Sequence, residues 1–171
     1  YLDSLEMTAT IQGFAPLYIQ RIAQLTNKSN QFNLTTLRCS EDDIRTMAED
    51  ADHLCLCGKL VDKFGDNGIV TVVAGQQQGS ALHMRLWLMS CRVLKRGMED
   101  AMMDTLMRHA AARGVEKVVG YYYPTAKNAM VREFYAQFGF AKTQESEEGT
   151  VWELNVADYV PRNPHMKIEE A

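Results

Sequence analysis

Arg92-Val93-Leu94-Lys95-Arg96-Gly97 stands between a strand-like run, residues 81–90, and a helix-like run from Gly97 to Arg113. It reads as Arg-x-x-Gly-x-Gly with Lys95 in place of the first glycine. A glycine-bearing loop that enters a helix aims free backbone N–H groups and the positive end of the helix dipole at one spot. Such a spot suits a pyrophosphate, and Gly97 allows close approach where a side chain would intrude. A plain strand-to-helix turn is the competing reading of the same six residues.

Outward from this loop, hydrophobic periodicity sets the element order. Leu5, Met7, Ala9 and Ile11 alternate with polar residues and predict a strand over 4–13. Residues 15–25 follow a helical pattern. Ser40-Glu41-Asp42-Asp43 predicts an N-cap and a helix to about Asp50. Strands are expected near 53–63 and 68–75, joined by Phe64-Gly65-Asp66-Asn67-Gly68. The run 81–90 is apolar enough for a central strand. Beyond the loop come a helix from Gly97 to Arg113 stopped by Gly114, a strand over 115–123, a helix over 126–138 closed by Gly139, and strands near 140–146 and 150–157. The expectation is an α+β fold with a mixed sheet of about seven strands, helices on both faces, and the order β-α-α-β-β-β-α-β-α-β-β. Residues 1–160 form one domain in this reading, with 161–171 a peripheral tail.

Composition narrows the function classes. With 171 residues and 46% hydrophobic content, the chain can bury one sizeable core. Eighteen basic against 22 acidic residues, and no basic block, argue against nucleic acid as the main partner. No apolar run nears the roughly 18 residues of a membrane span, and no signal-peptide pattern opens the chain. Cys39, Cys55, Cys57 and Cys91 show no zinc-site spacing, so no metal is expected and a cytoplasmic, reduced setting is. The sequence starts at Tyr1, which suggests a fragment or a trimmed product.

The element order, the loop, Asn128 and the ending Phe134-Tyr135-Ala136-Gln137-Phe138-Gly139-Phe140 together resemble the GNAT superfamily of acyltransferases from Leu5 to about Val156. Arg21 to Thr36, Asp62 to Val70, Trp87 to Leu94 and Tyr123 to Asn128 resemble more narrowly the C-terminal region of FkbH-like proteins. There a HAD-like domain precedes a GNAT-like one, and family members move a glyceryl unit onto a carrier-protein thiol. The aspartate signature of the HAD half is absent from this sequence.

The resemblance implies acetyl-CoA, another acyl-CoA or a phosphopantetheine thioester as cofactor. An acyl carrier protein and a HAD-like domain are implied as partners. Backbone groups from Val93 to Met98, including those of Leu94, Lys95, Arg96 and Gly97, would hold the pyrophosphate, with Arg92 beside them. The pantetheine would pair like an added strand in a gap between strand 82–90 and strand 116–122, along Leu88, Met89 and Ser90. Asn128 would hydrogen-bond the pantetheine and Tyr135 would protonate the departing thiolate. On one helix face 128 and 135 both look toward the cofactor, although the same spacing suits a core aromatic. His83, Asp66 and Glu133 are conceivable bases without a visible partner, and none is assigned. The polar run Thr26 to Asn33 reads either as an acceptor wall, with Lys28, Asn30 and Gln31 as contacts, or as a solvated helix end. Three functions follow: direct acyl transfer, which is the leading reading, a non-catalytic module that docks a pantetheinylated carrier protein, or a purely structural partner domain.

Overall fold

A computed structural model describes every residue except Pro164. Alternating burial along Thr8–Gln12 makes β1, and its neighbour in space is β2, His53–Asp62. Ile19–Lys28 forms α1 and Glu41–Glu49 forms α2. The Ser40 hydroxyl accepts from the Asp43 N–H at 3.1 Å and the Asp43 carboxylate accepts from the Ser40 N–H at 2.8 Å, so α2 begins with a reciprocal cap. β3 (Gly65–Gln78) and β4 (Ala81–Met89) complete an antiparallel meander, followed by α3, Met98–Ala112. β5 is Lys117–Tyr122, β6 Ala141–Ser146 and β7 Gly149–Asn155.

With a last strand, β8 (Lys167–Glu170), the sheet is single and mixed, in the order β6-β7-β5-β4-β3-β2-β1-β8. One core packs α3 and the Phe134–Phe140 ending against one face, and a second packs α1 and α2 against the other. The α+β class and helices on both faces match the sequence reading.

Two elements differ from it. The sheet has eight strands rather than about seven, since Lys167–Glu170 adds β8 at its edge, parallel to β1. Arg108 and His109 of α3 both grip the Glu170 carboxylate, at 2.7 and 2.5 Å. A four-residue, charged edge strand carries almost no periodicity, which is why it read as peripheral. The helix expected over 126–138 is instead two 3₁₀ turns, Ala129–Val131 and Tyr135–Phe138. Thr125 and Asn128 side chains capture backbone N–H groups at its start, offering the chain a local alternative to helical bonding.

Gly120 in β5 lies directly under the Tyr135 ring, whose atoms would stand 2.5 Å from a Cβ placed there. Gly120→Ala is therefore expected to lower stability by about 1–3 kcal/mol through overpacking. A urea midpoint that falls with an unchanged slope is the expected result; an unmoved midpoint would show that the ring yields freely.

Candidate functional site

The site expected from the sequence is the place where β4 and β5 part. Their parallel pairing joins only Ala81–His83 to Lys117–Val119, after which the strands diverge toward the C-terminal end of β4. The outer edge of β4 there belongs to Arg85, Trp87 and Met89, since Leu88 and Ser90 turn their backbone groups toward β3. Those edge groups need partners, because Trp87 and Met89 are each only 1% exposed.

The partners come from the chain itself. Residues 32–35, between α1 and α2, run antiparallel to β4 as a strap, with Asn33 opposite Leu88. The Met89 N–H donates to Phe32 O and the Leu34 N–H to Trp87 O, each at 3.0 Å, and the Thr35 hydroxyl donates to Arg85 O at 2.7 Å. On the other side the Tyr123 N–H donates to Leu34 O at 2.9 Å. The gap that would take a pantetheine along Leu88, Met89 and Ser90 is thus filled by protein, and the expectation of an open slot is corrected.

Asn128 locks the strap. Its amide donates to Asn33 O at 2.9 Å and to Tyr123 O at 3.0 Å, while its carbonyl oxygen accepts from the Thr125 N–H and the Tyr122 hydroxyl. Both donors and both acceptor directions are used, at a residue with no exposure. Arg38 braces the strap's start, donating to Thr26 O, Ser29 O and Asn30 Oδ1. The strap ends at Thr36 with φ of +56°, a conformation that a β-branched residue adopts only under constraint.

Burial of Phe32 and Leu34 alone contributes about 3–6 kcal/mol at 1.5–3 kcal/mol per side chain. That burial and the strap's hydrogen bonds oppose the roughly 1–2 kcal/mol of backbone entropy that each released residue would regain.

Tyr135 and Asn128 share no helix face, because the stretch that joins them is broken into two 3₁₀ turns. The 3₁₀ turn of Tyr135 sends the ring inward between Trp87 and Phe140, 1% exposed, and its hydroxyl has no hydrogen-bond partner among the described residues. Burial pushes its pKa well above the ordinary tyrosine value. A phenol sealed in the core has no direct path to a thiolate at the surface, and its neighbours are those of a core aromatic.

The loop keeps its turn but alters its chemistry. Lys95 itself adopts φ of +62°, the conformation of the glycine it replaces, and Gly97 has φ of +87° at the N-cap of α3. Arg96 is held by Asp62 at 2.7 Å rather than left for an anion. Glu99, in the first turn, is half-buried, its pKa raised by that burial, and one carboxylate oxygen has no partner. Of the conceivable bases, His83 meets the Tyr121 hydroxyl at 2.7 Å at the closed end of β4–β5, and Asp66 is paired to Lys59 at 3.1 Å. Burial, then the charge of Arg85, lowers the His83 pKa. Glu133 lines a separate small pocket beside Lys142 and Glu145.

At the strap's outer side a cleft of about 690 Å³ opens between α1, residues 29–31, the end of β4 and Lys127. Arg21, Lys28, Arg92 and Lys127 line it, and no acidic residue does. The polar run 26–33 therefore divides. Thr26, Asn27 and Asn33 satisfy backbone groups, whereas Lys28, Asn30 and Gln31 reach the cleft. Among the described residues no His, Cys, Asp and Glu cluster could hold a metal, and no helix is long and apolar enough to cross a membrane.

No protein-family profile and no curated protein sequence matches the chain. Solved structures match its fold. The ribosomal-protein-S18-alanine N-acetyltransferase of Escherichia coli superposes with a TM-score of 0.66 at 13% identity, covering 87% of this chain and 94% of that one. The PaiA N-acetyltransferase of Thermoplasma acidophilum, solved with coenzyme A, gives 0.64 at 13% identity over 86% and 99%. A GNAT-family acetyltransferase of Staphylococcus aureus Mu50 gives 0.66 at 8% identity over 87% and 99%. The chain has the GNAT fold.

Two outcomes test this geometry. Asn128→Ala should destabilise the protein by about 2–4 kcal/mol, because it strands polar groups on two segments, the strap and residues 122–125. Chemical denaturation measures it, and a loss under about 1 kcal/mol would contradict the lock. Tyr135→Phe should leave stability unchanged or slightly raised, within about 1 kcal/mol, since it removes a hydroxyl that is buried without a partner. A larger loss would show that the hydroxyl has a partner after all.

Proposed function

We propose that the chain is a GNAT-fold module that docks a phosphopantetheine-bearing carrier protein without transferring its acyl group. The observation that carries this reading is the strap: its hydrogen bonds occupy the β4 edge along which a thioester would be aligned for attack. Catalysis by direct transfer needs the thioester carbonyl, an acceptor and a proton donor held together. Here the alignment edge is filled and the Tyr135 phenol is sealed away. Docking needs neither. It needs a surface at the mouth of the former slot, and the four-cation cleft offers one to an acidic partner or a phosphate-bearing arm. In this reading the chemistry resides on another domain or protein, of which the HAD-like domain suggested by the sequence resemblance is one form.

Acyl-CoA-dependent transfer is the second reading, favoured by the retained divergence of β4 and β5 and by the positive φ of Lys95 and Gly97. The PaiA structure holds coenzyme A on the same fold. For this chain to do likewise the strap would have to leave. The binding-competent form would then be a minor one, and apparent affinity would fall by its small fraction.

Titration of the purified protein with holo carrier protein, apo carrier protein and acetyl-CoA separates the two. The docking reading predicts heat with the holo carrier, less with the apo carrier, and no thiol release from acetyl-CoA across a panel of amines and thiols. Acetyl transfer by the wild-type protein would overturn it.

A further inference from the structure

We infer that the cleft between α1, the strap and the end of β4 is a binding site for an organic phosphate, its anionic head held by Arg21, Lys28, Arg92 and Lys127. The inference rests on the docking reading and names the chemistry that the docked partner presents. The chain carries net charge −4, yet this one hollow gathers four of its 18 basic residues and no acid. Converging cations repel one another, so the arrangement is stable only weakly unless an anion joins it. Arg21 shows the effect: burial and then the like charge of Arg92 hold its pKa below the ordinary value.

The neutral contacts these cations do make leave their charge uncompensated. Arg21 donates to the Gln24 amide oxygen at 2.8 Å, and Arg92 reaches Ser90 Oγ and Asn67 O only at 3.4 Å. Leu25 and Met89, 3% and 1% exposed, form an apolar floor beneath the charged rim. An anionic phosphate among guanidinium and ammonium groups, singly charged in the diester that would join the arm to its carrier, with a short uncharged body against that floor, satisfies both. The volume of about 690 Å³ lies within the range of small-molecule sites and exceeds what a bare phosphate fills.

The cleft contains its own reporter. The Cys91 thiol is exposed on its wall and donates to Gln31 Oε1 at 3.2 Å. Burial pushes the Cys39 thiol up to about 11 and those of Cys55 and Cys57 up to about 12. Neutral iodoacetamide near pH 7.5 therefore marks Cys91 ahead of the others. With the whole chain, phosphopantetheine at saturation should slow Cys91 alkylation about tenfold, and pantetheine lacking the phosphate should not, both ligands being used with their own thiol capped by methylation so that neither consumes the reagent. Protection should weaken as salt rises. Lys28→Ala and Lys127→Ala, both at exposed positions, should each weaken it about tenfold.

Equal protection by pantetheine, no protection by phosphopantetheine, or protection indifferent to both substitutions would overturn the assignment. Inorganic phosphate as a separate arm decides whether the floor contributes: protection at the same concentration as phosphopantetheine would overturn the part assigned to Leu25 and Met89. The docking reading fails separately. Acetyl transfer with Cys91 protection intact would sink docking and leave the phosphate site standing. Carrier binding untouched by Lys28→Ala and Lys127→Ala would do the reverse.

Discussion

The rest of the structure depends on how the outer edge of β4 is satisfied. Once β4 and β5 diverge, the backbone groups of Arg85, Trp87 and Met89 face a dry gap, and unpaired groups there would each be expensive. A GNAT fold can supply partners in two ways, from a bound strand-like ligand or from its own chain. Here residues 32–35 supply them. Everything nearby follows that choice: Asn128 spends its full bonding capacity on the strap and its neighbours, Arg38 braces its entry, and Thr36 accepts a left-handed backbone to let it exit.

The same choice governs the loop before α3. A non-glycine residue held at positive φ carries about 1–2 kcal/mol of strain, so Lys95 keeps the turn against its own preference. The cations that the sequence offers to a pyrophosphate are redistributed. Arg96 neutralises Asp62, while Arg92 turns to the cleft at the strap's outer side. Arg21, Lys28, Arg92 and Lys127 thus stand at the mouth of the gap that the strap fills, where the proposed partner would be met.

Most of the fold was legible in the sequence because its strands alternate or run apolar, its helices follow the helical period, and α2 carries a cap. Ser40 and Asp43 announced α2, and Gly114 and Gly139 marked the stops. The strap was not legible. Phe32 and Leu34 are two apolar residues in a polar run, and an insertion one strand wide has no period to detect. Asn128 and Tyr135 were misread together, since seven residues' spacing implies a shared face only in a continuous helix, and Thr125 and Asn128 break that helix by bonding to the local backbone. β8 escaped because Lys-Ile-Glu-Glu resembles any solvated terminus. The cationic cleft was visible only in part, through Lys28, Asn30 and Gln31; Arg21 and Lys127 join it through folding alone.

The central claim is that the strap belongs permanently to the sheet. Hydrogen exchange at the Leu34, Met89 and Tyr123 amides, measured with and without saturating acetyl-CoA, tests it most directly. The account predicts strong protection of all three, unchanged by acetyl-CoA. Acetyl-CoA that binds and replaces the Leu34 bond, leaving Leu34 in fast exchange while Met89 stays protected, would contradict it.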